Sequence, residues 1–351
     1  MSAKGMFALI EVDGSEGEGG GQILRTAIAL SALTGNDVVV RGIRAKRENP
    51  GLQAQHLCAV NGVARICDAK VNGGFVGSDS LQFLPGKVRG GRHHLDVGTA
   101  GSITLVLQAC MLASARCEEE SSFDVVGGTN VRWSPPIDFY GQVLFPWLDK
   151  VGGRASIVEM RRGFYPEGGG RALVQWRAPA CFAPLHLIER GELDGIYGNV
   201  FTQGLPEHVG RRMGDAVRKA LIGNRIQLRS ESGQGVSRGA GVFLLARYSN
   251  CLLSADALGE RGLPSESVGD AAARALMGEM GSKSTLDVHC ADQLLPYLCL
   301  AEEPSSFFVK EVTGHMEAQA NLLGRFLGST VEFMPSENGI KVDVRPSRTC
   351  S

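Results

Sequence analysis

One pattern constrains this chain more than any single motif: strand, turn, helix, strand, helix, then two more strands, recurring three times. In the first copy, residues 7–12 are apolar and strand-like, and a glycine-rich turn follows. Ile23, Leu24, Ala27, Ile28 and Leu33 then fall at helical spacing until Gly35 ends the helix. A strand at 37–40, a helix opened by Asn49 and Pro50, and strands near Val71 and at 81–84 complete it. The second copy reads as strand 93–97, helix 103–115, strand 123–126, a helix from Pro136, and strands near Ile157 and at 172–176. The third reads as strand 286–288, helix 292–300, strand 307–310, helix 317–327, and strands 331–334 and 340–344. Residues 185–281 fit no copy and are long enough for a small domain, with expected strands at 242–248 and 252–255 and helices at 208–221 and 265–280. The expected architecture is therefore α/β: residues 1–184 and 282–351 form one domain of three repeated α/β units, and 185–281 form a smaller α/β insert.

Composition narrows the function classes. The chain has 351 residues, with 36 Lys plus Arg against 37 Asp plus Glu, for a formal charge of −1. No global positive field draws a polyanion, so any such partner must meet a local patch. The 47 glycines are about twice the average share and imply many tight turns and close backbone approaches. The longest near-apolar stretch, 103–115, is interrupted by Gln108 and is short of the ~20 residues a membrane helix needs. No apolar signal region precedes the first strand, so a soluble, cytoplasmic protein with no membrane partner is expected. The nine cysteines form no CxxC pair and are expected to be buried thiols in a reducing compartment.

The turns between strands and helices hold the chemistry. Asp13-Gly-Ser-Glu-Gly-Glu-Gly-Gly-Gly-Gln-Ile-Leu-Arg25 places glycines ahead of a helix, whose exposed first N–H groups suit a phosphate. It is neither a P-loop nor a dinucleotide fingerprint. Glu18 would be a poor neighbour for phosphate unless a divalent cation lies between them. Arg41, Arg44, Lys46 and Arg47, followed by Gln55 and His56, read either as a grip on phosphates or as a solvated basic loop, and the pair Arg161-Arg162 poses the same choice. Thr99-Ala-Gly-Ser102 and Gly127-Gly-Thr-Asn130 occupy the corresponding turns of copy two. His289-Cys-Ala-Asp-Gln293 and Thr313-Gly-His315 occupy those of copy three, so pseudo-symmetry can bring all of them to one surface. An imidazole such as that of His315 acts as a nucleophile when its second nitrogen is held by a hydrogen bond.

The chain resembles the RNA 3′-terminal phosphate cyclases. The likeness runs through Glu16-Gly-Glu-Gly-Gly-Gly-Gln-Ile-Leu-Arg25, Ile43-Arg-Ala-Lys-Arg47, Pro50-Gly-Leu-Gln-Ala-Gln-His56 and Gly101-Ser-Ile-Thr-Leu-Val-Leu-Gln108. It continues through Gly127-Gly-Thr129, Pro135-Pro-Ile-Asp-Phe139, Gly163-Phe-Tyr-Pro-Glu-Gly-Gly-Gly170, Ala291-Asp-Gln-Leu294 and His315, in order over nearly the whole chain. It implies helix pairs packed on four-stranded sheets, similar to the C-terminal domain of translation initiation factor three, with a smaller insert. It implies an ATP-dependent enzyme in which His315 takes AMP from ATP and passes it to an RNA 3′-phosphate. The vicinal O2′ then attacks, giving a 2′,3′-cyclic phosphate and AMP. By the same resemblance Glu18 binds Mg2+ or Mn2+, and Arg25, Arg44, Arg47 and Gln55 hold ATP or RNA phosphates. Gln108, Pro135, Phe139, His289, Asp292 and Gln293 form the nucleotide pocket, with Asp292 a partner for His315. His289 stands where the family often has Tyr, and Ala318-Gln319 where a Thr-Asn pair is common. No obligate protein partner is expected. The competing readings are a noncatalytic ribosome-assembly factor of the same fold, which lacks the histidine, and an enolpyruvyl transferase, which needs no adenine pocket.

Overall fold

The computed structural model describes residues 9–17 and 19–347. The first two residues of the strand expected at 7–12 therefore lie outside the described residues, as do Glu18 and Cys350.

The first segment runs β1 (Leu9–Asp13), α1 (Gln22–Thr34), β2 (Asp37–Arg41), α2 (Ala54–Cys67), β3 (Lys70–Asn72) and β4 (Ser80–Leu84). Its strands form one sheet in the order β1-β2-β4-β3, parallel between β1 and β2 and antiparallel beyond. The glycine that ends α1, Gly35, holds φ at 78° and returns its N–H to the Ser31 carbonyl at 2.9 Å, a left-handed cap that a side chain would strain. Asn49-Pro50 does not open α2. Gly51 holds φ at 79° and the Leu52 N–H bonds the Ser78 carbonyl at 2.9 Å, so the chain stays extended until Gln53 and His56 cap the helix reciprocally.

The second segment runs β5 (Gly91–Asp96), α3 (Ile103–Ala113) and β6 (Ser121–Gly127). A short helix α4 (Ile137–Phe139) then passes through a π turn at Tyr140–Leu144 into α5 (Phe145–Lys150), and β7 (Arg154–Arg161) and β8 (Gly170–Arg177) follow. The sheet order is β5-β6-β8-β7. Apart from Gln108, every residue of α3 is buried, which is why the sequence shows it as a continuous apolar run rather than an amphipathic one.

The remaining elements are β9 (His186–Leu187), β10 (Leu193–Gln203), α6 (Glu207–Ala220), β11 (Ile226–Gly233), β12 (Gly239–Tyr248), β13 (Leu252–Leu258), α7 (Ser265–Gly281), α8 (Val288–Leu298), β14 (Ser305–Val309), α9 (Gly314–Leu327), β15 (Thr330–Ser336) and β16 (Gly339–Arg345). They form two sheets, β9-β14-β16-β15 and β11-β10-β12-β13. Residues 286–288 are not a strand, because Asp287 caps α8 by accepting from the Cys290 N–H at 2.7 Å. The strand that fills that edge is His186–Leu187, which pairs in parallel with β14 from the far side of the intervening segment. The residues assigned to the insert from the sequence thus include two that belong to the sheet of the C-terminal strands.

The helices pack on one another between the sheets. α1 lies against α2, α3 and α9, α3 also meets α8, and α8 meets α9. The contiguous core runs from Val12 and Leu24 through Val106 and Phe123 to Leu294 and Leu323. Seven of the eight described cysteines are buried.

Residues 193–281 do not stand apart from the rest. Arg162, 5% exposed, forms a two-nitrogen salt bridge with Asp138 at 2.8 and 2.9 Å and another with Glu231 of β11 at 2.7 Å through both Nε and Nη2. Asn199 of β10 donates to Asp138 at 3.1 Å, and Ser237 Oγ bridges the Phe164 N–H and the Gly168 carbonyl. The Arg161-Arg162 pair therefore divides: Arg161 is exposed, while Arg162 is consumed by a buried ion network and presents no cation to a phosphate.

Candidate active site

Three helix N-termini and the glycine loop meet around α1. Gly21 precedes α1 and, having no side chain, cannot itself cap it; among the described residues no hydroxyl or carboxylate takes the first N–H groups of the helix. A Cβ at Gly21 would sit 2.1 Å from His56 Nε2 and 2.9 Å from Arg25 Nη1; only glycine permits that approach. The His56 ring is fixed by the backbone N–H of Gln53, which donates to its Nδ1 at 3.2 Å. The proton of the neutral ring is then on Nε2, facing the glycines. Burial first, and then the positive charges of Arg25 and Arg44, hold the His56 pKa down to about 3. His56 is thus a neutral donor at working pH. Its burial beside two cations is not legible from the chain alone.

Arg25 is 6% exposed, and burial lowers its pKa to about 10. Its Nε donates to Gln108 Oε1 at 3.4 Å, and no carboxylate among the described residues pairs with it. A buried guanidinium without a counter-charge is costly, and an anionic ligand removes that cost. Arg25, Gln108 and Gln293 line one small cavity together with Thr26, Tyr297 and Gln319. The Tyr140 hydroxyl donates to the Thr104 carbonyl at 2.6 Å, and the Gln293 side-chain amide lies 3.3 Å from the same hydroxyl oxygen. The Pro135 carbonyl accepts from Thr104 Oγ1 at 2.7 Å, which fixes the segment ahead of α4 on the first turn of α3.

His315 is the second residue of α9 and its side chain is 42% exposed. It lines a cleft with Glu16, Gly19, Gly20 and Gln22, and Gln22 Nε2 donates to the His315 carbonyl at 3.3 Å. His315 Nδ1 lies 3.9 Å from Asp292 Oδ2, an ion-pair distance beyond hydrogen-bond reach. Asp292 is held from its other oxygen by Thr313 Oγ1 at 2.9 Å, and the same hydroxyl caps α9 by accepting from the Met316 N–H. Nucleophile candidate, carboxylate and helix cap form one unit.

The other expected residues lie as follows. A Cβ at Gly20 would come 3.1 Å from Arg47 Nη2, which puts that guanidinium over the glycine loop. Arg44 turns inward, its Nη1 donating to the carbonyls of Asn49 and Gly51, and so holds its own loop closed. Gln55 Oε1 accepts from the Ser102 N–H at 3.0 Å, tying the start of α2 to the cap of α3. Phe139 is 2% exposed and meets Tyr140 edge-on in the core, so its ring shows no open face. His289 is exposed, and it lies near three acids, Asp256, Glu279 and Asp287, whose carboxyls burial pushes up and whose shift His289 only partly offsets. It therefore looks toward β13 and α7 rather than toward Arg25. Glu18, the expected metal ligand, lies outside the described residues, and among the described residues no three His, Cys, Asp or Glu side chains gather to hold an ion.

The family model of RNA 3′-terminal phosphate cyclase matches residues 16–333. The chain belongs to that family. The matched range takes in residues 193–281. A protein named RNA 3′-terminal phosphate cyclase from Methanopyrus kandleri is 42% identical over 97% of this chain and 99% of its own. Proteins of the same name from Nitrosospira multiformis and Caldivirga maquilingensis are 40% and 41% identical over 96% of this chain, and over 96% and 98% of their own. Among solved structures, the EPSP synthase of Acinetobacter baumannii aligns over 97% of this chain and 66% of its own with 11% identity and a TM-score of 0.23, a likeness too slight to bear on the fold. No described helix is long and apolar enough to cross a membrane.

Proposed function

We propose that this member of the cyclase family converts an RNA 3′-terminal phosphate to a 2′,3′-cyclic phosphate at the expense of ATP, with His315 as the nucleophile. The observation that carries the reading is the position of His315: it is half-exposed at the start of α9, backed by Asp292, and opens on the glycine loop of α1. That cradle fits a nucleoside triphosphate. It joins a helix start preceded by glycine, a buried guanidinium at Arg25 that meets no carboxylate among the described residues, the Arg47 head group and the neutral His56 donor.

In the first step a His315 ring nitrogen attacks the α-phosphorus of ATP. The bond to the bridging oxygen breaks, and pyrophosphate leaves with that electron pair. Asp292, near Nδ1, favours the tautomer with its proton there and leaves the lone pair on Nε2 to attack. Arg25 and Arg47 meet the charge that accumulates on the phosphoryl oxygens. An oxygen of the RNA 3′-phosphate then displaces the histidine, and the RNA O2′ attacks the activated phosphorus and expels AMP. The leaving group of an unactivated monoester is poor, and adenylylation supplies a good one. A divalent cation held by Glu18 would supply further charge neutralisation when bound. Gln108 and Gln293 would serve the nucleotide from the Arg25 cavity, with Pro135, Phe139 and His289 at its border as the family resemblance implies.

The three sheets with matching strand order support the reading of one domain of three α/β units, interrupted after Leu187 rather than after residue 184 by the smaller α/β insert. No observation favours a noncatalytic assembly factor over the enzyme. The test is the intact mass of the protein after incubation with ATP and Mg2+ or Mn2+. Wild type gains one AMP and His315→Ala gains none while keeping its fold. AMP attachment to His315→Ala at the wild-type rate overturns the assignment.

A further inference from the structure

Trp133 is 94% exposed, whereas the other two tryptophans, Trp147 and Trp176, are each 1% exposed. Its backbone φ is 64°, a conformation that bulky residues seldom hold, and no burial of the indole compensates for it. Both flanks of the residue are fixed. Ser134 Oγ donates to the Val131 carbonyl at 3.0 Å, and the next carbonyl, that of Pro135, is held by Thr104. Upstream, the Thr129 and Asn130 N–H groups both bond the Gly163 carbonyl, at 2.9 and 3.3 Å. That carbonyl opens the 163–170 loop, on which Tyr165 is 78% exposed. The loop is fastened in turn by Ser237 to the insert, where Val236 is 73% exposed. Large apolar faces thus stand on three mutually tied loops. Around them are Arg161, whose Nε rests on the Gly169 carbonyl, and Arg132, paired with Glu260; Glu167 is the acid on the same loop.

These loops continue into the active site. A Cβ on Gly168 would lie 2.9 Å from Ala100 Cα, and the same Thr99–Ser102 turn ends at the N–H that Gln55 holds, one residue before His56. We propose that Trp133, supported by Tyr165 on the neighbouring loop, stacks on bases of the RNA strand whose 3′ end enters the His315 cleft; the inference rests on the RNA reading given above. Unpaired bases near a strand end offer flat faces to an aromatic side chain, and such stacking tolerates any sequence. An indole on a loop held at both flanks, with Arg132 next to it in the chain and a second aromatic ring on the tied loop, suits a base beside a phosphodiester.

The burial of Trp147 and Trp176 makes the test direct, since only the Trp133 indole can meet an added ligand. Wild type is titrated, without ATP, with a short single-stranded oligoribonucleotide bearing a 3′-phosphate, and tryptophan emission is followed. Saturable quenching is expected in wild type and is expected to vanish in Trp133→Phe. In cyclisation assays Trp133→Ala is expected to raise the KM for the oligonucleotide about tenfold, equivalent to about 1.4 kcal/mol. Trp133→Phe, which keeps an aromatic face, is expected to stay within about twofold of wild type. No quenching in wild type, persistent quenching in Trp133→Phe, or an unchanged KM in Trp133→Ala overturns the proposal. Quenching by an oligonucleotide that wild type fails to cyclise supports the stacking contact and overturns the cyclase reading instead.

Discussion

Arg25 and His56 divide the electrostatic work at the glycine loop. Arg25 keeps its charge despite burial, because even a pKa lowered to about 10 leaves it protonated at neutral pH. His56 gives up its charge, because burial and the two nearby guanidinium groups make a third cation too costly. The result is one cation and one neutral donor around Gly21, aimed where an anion would sit. The suppressed His56 pKa also sets a pH dependence. Below its ordinary value of 6.5 the unfolded chain binds a proton that the folded chain refuses until about 3, so stability falls as pH drops through that window. His56→Gln, which can still accept from the Gln53 N–H, should flatten this part of the profile. Thermal midpoints of wild type and variant, measured from about pH 7 to about pH 4, check it. Parallel curves would mean that other groups carry the acid sensitivity. The shift was not legible in the sequence, where His56 only follows a basic run, because it depends on the burial and the two guanidinium groups that the fold brings to the ring.

At the scale of elements, the sequence showed what local pattern controls and missed what distant partners control. Helices α1, α3, α6, α7 and α9 stand within a few residues of their expected positions, because apolar spacing and caps such as Gly35 and Ser102 act locally. Strands β10 and β11 were missed. β10 has glycines at 195 and 198 and its polar residues follow no clean alternation, and β11 is mostly exposed with a polar end. The two-residue β9 is a strand only because β14 lies beside it across the whole insert. Arg162 is the sharpest case: its sequence neighbours suggested a phosphate grip, and only the tertiary structure brings Asp138, Asn130 and Glu231 to it. Burial alone would push the Asp138 carboxyl up, but the Arg162 hydrogen bonds and charge outweigh it and hold the pKa below its usual value. Arg162→Ala leaves that carboxylate buried without its cation and is expected to cost about 3–5 kcal/mol of stability. Adding Asp138→Asn should recover part of the loss in a double-mutant cycle read by denaturant unfolding. A cost below about 1 kcal/mol, the range of exposed pairs, would show that the network is open to solvent.

The whole molecule places chemistry where its parts meet. α1 and α9 come from opposite ends of the chain, yet their N-termini share a cleft, and the turn before α3 reaches the same region through Gln55. The repeat expected from the sequence pattern made that convergence foreseeable, since corresponding turns of similar units would fall on one side of a layered α/β body. It did not foresee the inward turn of Arg44, the closed ring of Phe139 or the acidic surroundings of His289, each of which depends on side-chain neighbours from other segments. The Arg162 and Ser237 contacts also tie β11 and the segment before β12 to the loops beside the cleft. The most direct test of the account is to supply wild type with ATP, a divalent cation and an oligoribonucleotide 3′-phosphate, and to follow the oligonucleotide by mass. Wild type is expected to give a product lighter by one water, formed only with ATP, its terminal phosphate resistant to phosphatase, and absent with His315→Ala. An unchanged oligonucleotide in the presence of folded, ATP-binding protein, or equal conversion by His315→Ala, would contradict it.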